Sequence, residues 1–397
     1  TRHLYGVREL VQSPFNNIEL VALCDIRREN VELAATEAEE LLGSKPATFT
    51  DLGEMAKAVP DLGMVDVVTD PSVHHTVVCQ ALDLGLHVLV EKPMAITVKG
   101  CHLMMEAAKR NDRLLSIAEN YRRDPSARLI RHMIDNGVIG TPYMGMLHSV
   151  RPGRDIFITP WRHLIDKGGP LIDMGVHFTD LIRYQLGDIK EVYGDARLIE
   201  PVRTKQDSIG MGYTFYQQRH EAMDQQVPAT AEDSSMAVFK MASGATVSWI
   251  VNIGGHASAG AQLILGDKGC IEGWGNRGGS TCLKVAGQED IHYEQLLCEH
   301  PELKLEPLAE HFFPQRSTVG DQAVDWKIIA LEQYELAEAI LNGRTLEVDG
   351  EEGLKDVAAV YAICESACAG RTVTMAEVES AEVYAYQAQI DETLDIS

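Results

Sequence analysis

The chain has no Cys-x-x-Cys pair among its eight cysteines, Cys24, Cys79, Cys101, Cys270, Cys282, Cys298, Cys364 and Cys368. Cys364 and Cys368 stand four apart on one face of an expected helix, but no further ligands lie nearby, so no metal is read from the sequence. Free, reduced thiols follow, and they suit a cytoplasmic location. No apolar run approaches the roughly 20 residues of a membrane span. The opening Thr1-Arg2-His3-Leu4-Tyr5-Gly6 lacks the apolar core of a signal peptide. Internal repeats are absent. Basic residues are few: 35 Lys+Arg stand against 59 Asp+Glu, a net charge of −24. That field repels phosphate backbones and anionic lipid, which argues against nucleic-acid and membrane partners. It leaves room for one dinucleotide held locally at a helix N-terminus.

What is present is ordinary globular composition, 45% hydrophobic and 24% charged over 397 residues. At about 150 residues per domain, two domains fit best. The first third alternates short apolar runs with helical periods. Ile18–Cys24, Met64–Thr69, His87–Val90 and Leu114–Ala118 read as strands. Arg2–Val11, Glu29–Leu42, His74–Leu84 and Thr97–Arg110 read as helices. Strict alternation implies βαβ units and a doubly wound parallel sheet. Beyond Tyr121 the texture changes. Asp124–Asp135 reads as a capped helix, and Met144–Val150, Met236–Met241, Ala245–Asn252 and Ala261–Leu265 read as strands. Those runs imply an α+β domain with a large, mostly antiparallel open sheet. Thr204–Thr230 reads as a long polar loop or insertion, and Gly273–Ser280 as a glycine-rich loop followed by no helix. Asp325–Leu341 and Gly353–Ala369 read as long helices. The expected division is a dinucleotide-binding (Rossmann) domain over 1–120 and a substrate-binding and oligomerisation domain over 121–397.

Ligands of a doubly wound sheet bind beyond the carboxyl ends of its strands, and chemistry-bearing residues cluster there. Asp25 could accept ribose hydroxyls, favouring NAD over NADP, or could simply be a turn residue; Arg27 and Arg28 keep NADP open. Thr69-Asp70-Pro71-Ser72, with His74 and His75, lies at another such end, where helix capping by Ser72 is the plainer reading. Glu91-Lys92-Pro93 follows a third. A lysine beside a cationic ring should have its pKa lowered, which suits proton exchange with a substrate hydroxyl. In Gly168–Asp180, Asp173, His177 and Asp180 fall at i, i+4 and i+7 on one helical face. A histidine flanked by carboxylates should have a fixed tautomer and a raised pKa.

In this order and spacing, Thr69–Met94 with its Glu-Lys-Pro, Gly168–Asp180 (GGPLIDMGVHFTD) and Asn120-Tyr121-Arg122-Arg123 resemble the glucose–fructose oxidoreductase / inositol dehydrogenase (Gfo/Idh/MocA) family. The closing stretch Gly343–Val373 also resembles the family, so the resemblance spans nearly the whole chain. It implies hydride transfer between a sugar, inositol or polyol carbon and NAD or NADP. It implies Lys92, Asp173 and His177 as catalytic residues, His177 being the acid/base and Asp173 orienting substrate. Asp25, Arg27, Thr69, Pro71, His75, Glu91, Lys92, Tyr121 and Arg122 become cofactor contacts by the same implication. Lys92, Arg122, Trp161, Arg162, Asp173 and His177 become substrate contacts. A homo-oligomer, dimer or tetramer, formed through the open sheet is also implied. The family's G-x-G-x-x-G turn would stand just before Thr1. That turn and the first strand are absent from the chain as read, and the expectation is a truncated sequence. Other functions the same pattern admits are an NAD-dependent glycosidase working by oxidation and elimination, and a non-catalytic dinucleotide or sugar sensor. Retention of Lys92, Asp173 and His177 speaks against the sensor.

Overall fold

A computed structural model describes residues 2–207 and 214–396. The first third runs α1 (Arg2–Gln12), β1 (Ala22–Cys24), α2 (Arg28–Leu42), β2 (Ala47–Phe49), α3 (Leu52–Ala58), β3 (Met64–Val67), α4 (His74–Asp83), β4 (His87–Glu91), α5 (Val98–Asn111) and β5 (Leu115–Ala118). All its strand pairs are parallel. Val88, Leu89 and Val90 of β4 are fully buried, as a strand covered on both faces should be. The strands form two sheets, β1-β2 and β3-β4-β5, rather than one. Among the described residues no strand lies between β1 and β3 to join their ladders. The expected strand from Ile18 shortens to Ala22–Cys24 because only that part finds a ladder partner, on Ala47–Phe49.

The chain then continues through α6 (Pro125–Asp135), β6 (Pro142–Pro152), α7 (Gly169–Leu186), β7 (Ile189–Arg197), β8 (Val202–Thr204), α8 (Thr214–Glu221) and β9 (Gln226–Pro228). Next come β10 (Ser234–Met241), β11 (Thr246–Gly255), β12 (Ala259–Gly266), β13 (Cys270–Glu272), β14 (Cys282–Lys284) and β15 (Ile291–His292). The last elements are α9 (Tyr293–Glu299), α10 (Pro307–Phe312), α11 (Val324–Asn342), α12 (Gly350–Ala369), β16 (Val373–Thr374), α13 (Met375–Glu379) and α14 (Ala388–Thr393). Nine strands form one sheet in the order β15-β14-β13-β12-β6-β11-β10-β7-β16. Only β6 and β11 pair in parallel, so the expected mostly antiparallel open sheet is present. Its strands alternate: Ser235, Ala237, Phe239 and Met241 of β10 point inward, while Met236 and Val238 face out. The polar stretch read as a loop over Thr204–Thr230 is more ordered than expected. A β8–β9 hairpin brackets it, Val202 opposite Pro228, and α8 lies within; its residues 208–213 lie outside the described residues.

Helix α7 fixes the geometry that matters most. It is buried nearly all round, between the sheet and α12. Gly175 permits the close crossing, since a Cβ there would stand 2.9 Å from Val360 Cγ2. Trp249 of β11 anchors the sheet side, fully buried with Phe239 and Phe178 rings 5.5 and 6.0 Å away. Truncating such a ring costs about 3–5 kcal/mol. Helix α11 returns to the first third, packing on α1 and beside β4 and β5. No helix among the described residues is long and apolar enough to cross a membrane.

Candidate active site

Residues beyond the carboxyl ends of β4 and β5 meet the first half of α7. Lys92 follows β4, joined to Pro93 by a cis peptide bond. Its Nζ donates to the Asp173 backbone oxygen at 2.8 Å and to Asp173 Oδ1 at 3.2 Å. Arg162 Nε donates to the other carboxylate oxygen, Oδ2, at 3.2 Å, and the Arg162 guanidinium lies 4.3 Å over the Trp161 ring. Burial opposes ionisation of Asp173, but Lys92 and Arg162 outweigh it and hold the carboxyl down at about 2. Asp173 is therefore a fixed anion clamped between two cations.

His177 stands one turn further along α7, buried. Its Nδ1 meets Glu119 Oε1 at 2.6 Å, and its ring stacks on that of Tyr121, centroids 4.1 Å apart and planes nearly parallel at 2°. The flanking aspartates do not bond it. Asp173 is occupied as described, and Asp180 holds Arg122, whose Nε lies 2.8 Å from Oδ1. The expected rise in the His177 pKa is reversed. Burial, the charge of Lys92 and that of Arg277 hold it well below the usual value. The neutral ring is the resting form. Burial also pushes Glu119 up to about 7, with Lys92, the Tyr121 N–H and Arg122 restraining the rise. No partner for His177 Nε2 exists among the described residues, so that nitrogen is the one available to a substrate.

Glu119 and Arg277 also stand at this site, and the sequence expectations did not include them. Glu119 follows β5 directly, as Lys92 follows β4, and the same strand-end rule would have found it. Arg277 had no such signal. It sits in the glycine-rich loop 273–280, where its guanidinium lies 5.4 Å from the Tyr121 ring centre and pairs with Asp325 at 2.9 Å. That loop is a buttress: the Gly278 N–H donates to Asp124 Oδ2, and Asp124 caps α6.

The remaining expected cofactor contacts scatter. Asp25 lies just past β1; its Oδ1 accepts from the Arg27 N–H at 2.8 Å and from Asn30 Nδ2 at 3.2 Å, a turn role that leaves Oδ2 for other donors. Arg27 is exposed. Asp70, and not Ser72, caps the short turn Pro71–Val73, accepting from the Ser72 N–H. Lys167 Nζ reaches Ser72 Oγ at 2.8 Å, tying this loop to the start of α7. His74 is buried against the carbonyls of Pro93 and Thr69, whereas His75 is half-buried. Glu91 accepts from His3 and from its own neighbour's N–H, that of Lys92. Arg122 is placed differently from expectation. Its guanidinium is buried on Asp180, a core carboxylate that needs a cation, and reaches the half-buried Glu352.

Comparisons with known proteins identify the family and the fold. Residues 5–119 match the model of the oxidoreductase family with an NAD-binding Rossmann fold, and residues 127–272 match the GFO/IDH/MocA C-terminal domain. The D-glucoside 3-dehydrogenase of Escherichia coli is 32% identical over 177 residues, 43% of this chain and 48% of the relative. The myo-inositol 2-dehydrogenase of Thermotoga maritima is 28% identical over 45% of this chain and 51% of the relative. The chain thus spans about half the length of the curated relatives it matches. Among solved structures, levoglucosan dehydrogenase in complex with NADH superposes with a TM-score of 0.71 at 20% identity, covering 94% of this chain and 95% of that one. An oxidoreductase domain protein from Kribbella flavida gives 0.73 at 23% identity, over 94% and 95%.

Proposed function

Because the chain belongs to the GFO/IDH/MocA oxidoreductase family, we propose that it transfers a hydride between a hydroxyl-bearing carbon of a sugar, inositol or polyol and a nicotinamide dinucleotide. One observation carries this reading: a Lys92–Asp173 pair and a neutral His177 with a free Nε2 stand together at the ends of β4 and β5. The names of the relatives supply the substrate class, and the acidic net charge is compatible with a neutral polyhydroxylated substrate.

The residues present fit a dinucleotide. Asp25 keeps one carboxylate oxygen uncommitted at the end of β1, suited to ribose hydroxyls, and its charge disfavours a 2′-phosphate. NAD is therefore the preferred cofactor. Thr69, Pro71 and His75 line the next strand end, and Tyr121 lies against His177. When bound, the nicotinamide supplies the hydride acceptor or donor.

The chain's own residues handle the proton. With Glu119 ionised, the Nδ1–H of His177 donates to it and Nε2 presents a lone pair. Nε2 can then take the proton of a substrate hydroxyl as the carbon is oxidised. With Glu119 protonated, its O–H donates to Nδ1 and Nε2 carries hydrogen, ready to protonate a carbonyl oxygen in the reverse direction. Lys92 donates to the same oxygen and offsets charge that develops there. Asp173 aims Lys92, and Arg162 with Trp161 forms an adjoining wall for the sugar ring.

We take residues 1–120 as the cofactor half and 121–397 as the substrate half. Homo-oligomerisation is supported by the outer face of the nine-stranded sheet, where Met144, Tyr193 and Met236 are 41%, 58% and 60% exposed. A cytoplasmic location is supported by eight unpaired cysteines.

The test is a screen of NAD+ and NADP+ reduction against sugars, inositols and glycosides, with cofactor binding measured separately. Reduction with at least one polyol supports the proposal. Neither reduction nor binding across the panel, or cleavage of an aryl glycoside with no net NADH, overturns it.

A further inference from the structure

His132 lies in the last turn of α6, His300 follows α9, and Glu302 is two residues beyond. His132 Nε2 is 2.8 Å from Glu302 Oε1, and His300 Nδ1 is 3.1 Å from the same oxygen. One ligand atom from each residue lies within 4.8 Å of the other two. The two imidazoles meet edge to face at 5.4 Å. Both are largely covered, while the carboxylate of Glu302 reaches solvent. The sequence reading weighed only ligands close together in the chain, and 170 residues separate His132 from Glu302.

We propose that His132, His300 and Glu302 form a binding site for a divalent transition-metal ion of the zinc type. Two imidazole nitrogens and one carboxylate oxygen are a zinc-type donor set. Calcium and magnesium take oxygen ligands and are disfavoured here. Ligands about 2.0–2.2 Å from one ion stand roughly 3 Å apart, close to the two separations found. The exposed side of Glu302 leaves the other coordination positions to water. The loop that carries two of the ligands is held before any ion arrives. Arg316 donates to the carbonyls of Leu297, His300 and Leu303, and Tyr293 Oη donates to the Arg316 carbonyl at 2.8 Å. On the other side, Asn136 Nδ2 sits against the His132 ring and donates to the His132 carbonyl at 2.8 Å. Support of this kind fixes the direction of the ligating rings.

Bound metal would replace the protons that now join the imidazoles to Glu302, tying α6 to the segment after α9. The set shares no residue with the Lys92–Asp173–His177 constellation, so the ion would be a structural staple and not part of the hydride chemistry.

The experiment uses the full chain freed of metal with EDTA. Zn2+ is titrated by competition against a chromophoric chelator, and Co2+ by visible absorption. Expected is about one site per chain, weakened at least tenfold in His132→Gln and in His300→Gln, since loss of even a supporting group costs about 10–100-fold. His256→Gln, an exposed histidine elsewhere, should bind as the parent does. Co2+ should give d–d bands without thiolate charge transfer, and Zn2+ should raise the melting temperature of the parent and of His256→Gln only. If the histidine variants fold poorly without metal, Glu302→Gln, on the solvent side, replaces them and should show the same loss. Unchanged affinity in the folded variants, a thiolate band, or no binding at micromolar metal overturns the proposal.

Discussion

Glu119 Oε1 sits 2.6 Å from His177 Nδ1, both side chains buried, and this contact decides which face of the imidazole is basic. The carboxyl titrates near 7 while the ring stays neutral. Oxidation of a hydroxyl, which needs a bare Nε2, should therefore rise as the pH climbs through about 7. Glu119→Gln should remove that limb and lower kcat by about 10–100-fold, with cofactor affinity kept. The pH profile of kcat for parent and variant checks this. A limb that survives in the variant assigns it to another group.

Lys92→Ala should cut turnover by about 10²–10⁴-fold, because the substrate oxygen loses its donor and Asp173 loses a clamp. Dinucleotide binding should persist. Fluorescence titration of cofactor alongside steady-state rates separates the two effects; unchanged turnover would remove Lys92 from the mechanism.

Arg122 is buried against Asp180 and Glu352. Arg122→Met leaves Asp180 as an unpaired buried carboxylate. The expected cost is about 3–5 kcal/mol of stability, visible as a lower denaturation midpoint. A variant that keeps its midpoint but loses cofactor affinity would return Arg122 to the cofactor contacts named by its motif.

His3 on α1 lies between Asp66 at 2.8 Å and Glu91 at 3.0 Å. Burial opposes its charge, yet Asp66 and Glu91 prevail and lift its pKa to about 10 from an ordinary 6.5. The folded state binds this proton more tightly than the unfolded chain. Its stabilising contribution is thus complete below pH 6.5 and is lost as the pH rises through 10. Melting temperature measured from pH 6 to 10 should fall for the parent along a slope that His3→Gln reduces. Parallel curves for the two proteins would show that His3 is not the source.

Much of the fold was legible because hydrophobic period reports burial locally. Helices α2, α4 and α5 and strands β3 to β5 lie within two residues of their sequence-derived ends. The strands of β7 and β13 to β15 escaped notice, since Ile189–Arg197 carries charges on its outer face and the other three have only two or three residues each. In the candidate site, Lys92, Asp173 and His177 could be singled out because strand ends and helical spacing place them without knowledge of partners.

The sequence by itself determined the alternation that makes a parallel layer, the open sheet that follows, and the strand ends and helix face from which reactive groups project. Those depend on neighbours a few residues away. Only the tertiary structure decided which charges pair. Glu119 with His177 and Arg122 with Asp180 are each joined across 58 residues. Sequence spacing had set His177 between two aspartates with a raised pKa. Folding gave those aspartates to Lys92, Arg162 and Arg122, buried the ring, and turned the shift downward. The sign of a pKa shift depends on which groups lie within a few ångströms and how much water remains, and neither is written in local order along the chain.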